Sequence, residues 1–175
     1  MRIKTRKLQK ILAFVSVLFF AQLSSSVTLA SQSDFDESQA CSSYMIVEDI
    51  IELNEAIDCF NGQTSGTYTI QLRNEIKLQT QILGVVLPLP TTPINNSTAA
   101  ELTIFGAGSY AINGLDLLRP LTITEGNVTV LGVRIVNGFS ETTGGGIFIS
   151  PQANVTLKDS YVLNNNAQWG GGIYN

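Results

Sequence analysis

Two cysteines, Cys41 and Cys59, are the only thiols in 175 residues, and the chain has no histidine. Without histidine, Ser-His and Cys-His catalysis are excluded, and so is the commonest zinc ligand. Neither cysteine belongs to a CxxC pair, which argues against redox catalysis. In an exported protein an even pair reads most simply as a structural disulfide, worth roughly 3 kcal/mol in the chain-entropy picture. Two buried free thiols are the alternative.

A glycoside hydrolase needs two carboxylates roughly 5 to 10 Å apart. Asp159 and Glu125 both fall in turn positions, so no catalytic pair is assigned. A lyase would need clustered carboxylates for calcium and a basic residue on one outer face. Beyond residue 30 the only bases are Arg73, Lys77, Arg119, Arg134 and Lys158. Arg134 and Tyr161 are expected to stack outward on adjacent repeats and are the candidate glycan contact; the plain alternative is two solvated outer positions. Asn95, Asn96, Asn127 and Asn154 each begin an N-x-Ser/Thr sequon, read here as ladder and loop asparagines. No metal ligands, catalytic residues or cofactor are assigned; calcium-type GGxGxD repeats are missing.

Charge and hydropathy divide the chain. Five of its ten basic residues stand in the first ten positions, followed by the apolar run Ile11 to Ala21 and by Val27-Thr28-Leu29-Ala30. This is the pattern of a signal peptide over residues 1–30, cleaved after Ala30. An uncleaved anchor would need about 20 apolar residues, roughly twice this run. No second span follows. The remaining 145 residues carry five bases and fourteen acids, a net charge of −9 that repels nucleic acid and anionic membranes.

Residues 31–45 read as a polar leader and a first strand, and 46–62 as a helix. Ile46, Ile50, Leu53, Ile57 and Phe60 recur at spacings of four, three, four and three, and Asn61-Gly62 supplies a stop. Residues 63–175 then alternate in short segments such as Tyr68-Thr69-Ile70-Gln71-Leu72 and Val128-Thr129-Val130, which read as strands. The stretch 88–100, with three prolines, reads as a loop excursion.

An internal repeat organises these strands. Val128 to Gly138 aligns with Val155 to Asn165 at a shift of 27, and Gly144-Gly145-Gly146-Ile147 recurs as Gly170-Gly171-Gly172-Ile173 at a shift of 26. Three strand signals per period and no helix specify a parallel β-helix, each strand pairing one coil along, about 4.8 Å away. Asn127 over Asn154 and Asn137 over Asn164 would form structural amide ladders at turns. Val130 over Leu157, Ile135 over Val162 and Ile147 over Ile173 would be core stacks. The helical stripe is expected to close the N-terminal end.

These residues resemble a known group. The two Gly-Gly-Gly-Ile tetrapeptides are similar to the GGAI motif, and Tyr161-Val162-Leu163-Asn164 to the FxxN motif, of the polymorphic outer membrane protein repeat family. The resemblance implies an all-β, right-handed parallel β-helix of the pectin-lyase-like kind with a capping helix. It also implies an exported, non-enzymatic surface or secreted protein, such as an adhesin or autotransporter passenger, with a glycan or host-surface ligand. The alternative is a polysaccharide lyase or hydrolase of that fold with its active site in further coils. The last residues, Gly170 to Asn175, open a new coil, so the chain is expected to be a fragment, any outer-membrane anchor lying beyond it.

Overall fold

The computed structural model describes residues 41–175; the signal-peptide assignment and most of the leader lie outside them. The described chain is a parallel β-solenoid of about five turns with one short helix. One face stacks β1 (Tyr44–Val47), β2 (Thr67–Leu72), β7 (Glu101–Phe105), the second half of β9 (Leu121–Leu131) and β13 (Ala153–Lys158). A second stacks β3 (Ile76–Lys77), β8 (Ala111–Asn113), β10 (Arg134–Val136) and β14 (Tyr161–Leu163). A third stacks β6 (Ile94–Asn95), the first half of β9, β12 (Ile147–Ile149) and β16 (Ile173–Tyr174). The short β11 (Phe139–Thr143) and β15 (Asn166–Trp169) pair with each other beside it.

Aliphatic residues at every second position point inward and stack on themselves. On the first face Ile70, Ile104, Val130 and Leu157 are successive register partners, and on the second Ile76, Ile112, Ile135 and Val162. The first three of each row are fully buried. The 27-residue shift is the register Val128 to Val155, and the 26-residue shift is Ile147 to Ile173.

The helix α1 (Ile50–Asn61) is shorter than the span 46–62. Asp49 is its N-cap, its carboxylate accepting from the Ile51 and Glu52 N–H groups at 3.0 and 2.9 Å. Ile46 therefore belongs to β1, half-exposed, and Val47 takes the buried place expected of it. Strand alternation, not helical period, governs that residue. The remaining stripe of Ile50, Leu53, Ala56, Ile57 and Phe60 is buried. The helix packs against β1 and β2, β3 and β6, strands of all three faces, so it lies across the end of the core.

The excursion also differs from 88–100. It begins earlier, as an antiparallel hairpin of β4 (Gln79–Ile82) and β5 (Val85–Pro88) turning at Leu83-Gly84, both with positive φ. The segment after Pro88 returns to the solenoid. Asn54 donates to the Pro90 carbonyl at 2.9 Å and accepts from Thr92 N–H at 2.7 Å. Asn61 does the same to Pro93 carbonyl and Asn95 N–H, at 2.9 and 3.0 Å. Seven helical residues rise about 10.5 Å and three extended ones about 10 Å, so the two amides fall in step with the strand.

Candidate functional site

Polar side chains of three successive coils meet at the corner where β9 passes from the third face to the first. Glu125 and Gly126 make that bend inside a continuous strand, whereas the sequence suggested two strands with a turn. Gly126 has φ 111°, and a Cβ there would stand 2.7 Å from the Asn96 carbonyl oxygen. Glycine thus lets neighbouring coils close up at the bend.

The result is a cleft of about 340 Å³ spanning three coils. Asn96, Ser97 and Thr98 line it from one coil, Glu125, Gly126 and Asn127 from the next, Gln152 and Asn154 from the third. Asn95 registers with Glu125, and Asn127 with Asn154, so the rows climb the axis by about 4.8 Å per coil. The floor is rigid. Asn96 is fully buried, donating to the Phe60 and Gln63 carbonyls at 2.7 and 3.0 Å while its Oδ1 accepts from Thr98 N–H at 2.9 Å. That placement leaves the Asn96 sequon without an accessible amide.

The wall keeps bonding capacity. Asn154 Nδ2 donates to Asn127 Oδ1 at 3.3 Å, and among the described residues no hydrogen bond engages Asn127 Nδ2 or Asn154 Oδ1. Gln152 Oε1 accepts from the Ser150 hydroxyl, leaving its NH₂ group. Among the described residues, no hydrogen bond or ion pair engages the Glu125 carboxylate. With one carboxylate and several amides, this lining offers alternating donors and acceptors rather than an acid–base pair.

The other residues singled out by sequence sit elsewhere. Cys41 and Cys59 are joined by a disulfide, Cα atoms 5.6 Å apart, tying the start of β1 to α1. Arg134 and Tyr161 are register partners and both exposed, but on the second face, outside the cleft. Asn137 and Asn164 both adopt positive φ. Asn137 Nδ2 reaches back to Asn113 Oδ1 at 3.2 Å, while the bonds between the last two coils come from Asn165, whose Oδ1 accepts from Gly138 N–H at 2.6 Å and whose Nδ2 donates to the Ile135 carbonyl at 3.0 Å.

Sequence reasoning gives no structural role to Asn165 or Arg119, and reads Asn96 only as a ladder or loop asparagine. Arg119 donates to the Gly144 and Thr143 carbonyls at 2.7 and 2.6 Å and lies 5.2 Å over the Phe148 ring, which also stacks on Tyr174. Burial pulls its guanidinium below the usual arginine range. Its only sequence signal was being a rare cation beside Pro120. Compared with protein families, curated proteins and solved structures, the chain matches none of them.

Proposed function

We propose that this chain is an exported, non-enzymatic, right-handed β-helix of the pectin-lyase-like kind, acting at a cell surface or outside the cell as an adhesin or passenger segment of the polymorphic outer membrane protein type. The observation that carries the binding half of this reading is the polar cleft, where three coils align amides and hydroxyls around one unpartnered carboxylate. Such a lining matches vicinal hydroxyls, each able to donate and accept. Glu125 sets the class of glycan: a neutral or amine-bearing sugar fits beside it, whereas a polyuronate would meet like charge.

The test is a glycan array probed with the whole chain, alongside Glu125→Gln and Asn127→Ala. Binding to neutral or amino sugars that both variants weaken supports the reading. A folded protein that binds no glycan, or that releases unsaturated products from pectin, alginate or chondroitin, overturns it.

A further inference from the structure

We propose that Lys77 and Asn113 form an intramolecular isopeptide bond, made without any other catalyst by the carboxylate of Glu75. The inference is independent of the cleft, since Lys77 and Asn113 belong to the second face and Glu75 immediately precedes β3. Lys77 and Asn113 are register partners on the adjacent parallel strands β3 and β8, so their side chains emerge on the same side about 4.8 Å apart. A link from Lys77 Nζ to Asn113 Cγ would join the two Cβ atoms through several single bonds. That is slack enough for the distance.

The three groups are already assembled. Glu75 Oε1 accepts from Asn113 Nδ2 at 2.7 Å, and Glu75 Oε2 lies 3.8 Å from Lys77 Nζ. Amine and amide therefore sit on the two oxygens of one carboxylate. Asn113 is buried, and its Oδ1 accepts from two donors, Leu115 N–H at 3.0 Å and Asn137 Nδ2 at 3.2 Å. Those donors are aimed where negative charge develops when a nucleophile adds to the amide carbon. A surface ion pair beside a structural asparagine would need neither the shared carboxylate nor the doubly bonded oxygen.

The step balances. The Glu75 carboxylate takes one proton from the Lys77 ammonium, and the freed lone pair attacks Asn113 Cγ. The carbonyl pair moves onto Oδ1. Glu75 delivers its proton to Nδ2 and takes the second proton from Nζ. Collapse of the adduct breaks the Cγ–Nδ2 bond and expels ammonia, which leaves as ammonium once Glu75 returns the proton. An ammonium and a primary amide become a secondary amide and ammonium, with no change of oxidation state.

The position suits a staple. Between β3 and β8 the chain makes its longest circuit, through the hairpin and the helix-bound segment, so this turn has the largest loop-closure entropy to lose. The competing reaction at Asn113-Gly114 is restrained, because the Gly114 N–H that would cyclise is held by the Val136 carbonyl at 2.9 Å.

The test is peptide mapping of the purified full chain by mass spectrometry, after prolonged incubation at mildly alkaline pH, alongside Lys77→Arg and Glu75→Gln. Both positions are well exposed, and circular dichroism verifies that each variant folds. The expected wild-type result is one branched peptide containing Lys77 and Asn113, lighter by one ammonia. Lys77→Arg should lack it, and Glu75→Gln should form it ~10²-fold more slowly or worse. Lys77 and Asn113 recovered only in separate, unmodified peptides would overturn the proposal. So would an ammonia loss that persists in Lys77→Arg, which marks a succinimide at Asn113-Gly114.

Discussion

Asn96 holds the C-terminal end of the capping helix to the coil beneath it, and its truncation puts that joint to the test. Asn96→Ala removes two hydrogen bonds donated to the Phe60 and Gln63 carbonyls and one accepted from Thr98 N–H, together with the contact of the Thr98 hydroxyl on Oδ1, a hydroxyl that keeps the Gln63 carbonyl as its acceptor. The carbonyls are not orphaned, because Phe60 still accepts from Gln63 N–H at 3.0 Å and Gln63 from the Thr98 hydroxyl at 3.0 Å. Their two bonds are worth about 1 kcal/mol each, and the part-buried Thr98 N–H, left without an acceptor, adds about 1 to 2 kcal/mol. The loss is therefore about 3 to 4 kcal/mol, a large share of the 5 to 15 kcal/mol typical of a domain. Urea unfolding should show a lower midpoint with an unchanged slope. Asn95→Ala, truncating an exposed side chain beside it, should stay within about 0.5 kcal/mol. Asn96→Asp should be worse than alanine at neutral pH, since it sets an anion against two carbonyl oxygens, and should recover in acid as the carboxyl protonates. A loss below about 1 kcal/mol for Asn96→Ala would refute the assignment of Asn96 as the anchor.

Replacing Cys41 and Cys59 together by serine opens a link between residues 18 apart and should cost about 3 kcal/mol in urea unfolding; an unchanged midpoint would contradict it. Burial raises the Asp58 carboxyl above its ordinary 3.8, the Thr92 hydrogen bond pulls it back, and the Glu55 charge raises it again. The folded state therefore holds that proton more tightly than the unfolded one, so stability from this group falls as pH rises past 3.8. Asp58→Asn should melt higher than wild type at neutral pH and lose the advantage at about pH 3, below the ordinary carboxylate range. An advantage of equal size at both pH values would show that charge is not the cause.

The solenoid was legible because its signal is redundant. A core stack such as Ile70, Ile104 and Val130 repeats one chemical choice at one register, and two copies of a repeat suffice to display it. What was illegible was set by single residues acting against the local pattern. Ile46 fits the helical period as well as the strand alternation, and only the Asp49 cap decides between them. The bend at Glu125-Gly126 looked like a break because glycine usually ends a strand, yet here it lets one strand serve two faces. The cleft could not be read at all. Asn96 and Asn154 are far apart in sequence, and the hairpin between β3 and β6 destroys the period that would have aligned the first wall with the others.

Asparagine is the residue the fold uses most often where its own periodicity fails, beside Asp49 at the helix start and Arg119 at the Thr143 and Gly144 carbonyls. In a regular coil every backbone N–H and carbonyl is paired by the next coil, but a helix edge, a corner and an insertion each interrupt that ladder. An asparagine side chain carries the same donor and acceptor as a peptide group, so it can stand in for a missing strand without changing the register of its neighbours. Asn54 and Asn61 do this for the strand edge beside the helix, and Asn96 for the helix end. Asn165 does it for the turn between the last two coils. The same property accounts for the cleft. Where two such amides stack at a corner with no further backbone to pair, as Asn127 and Asn154 do, half of each amide is left over, and that surplus is what the proposed glycan reading draws on.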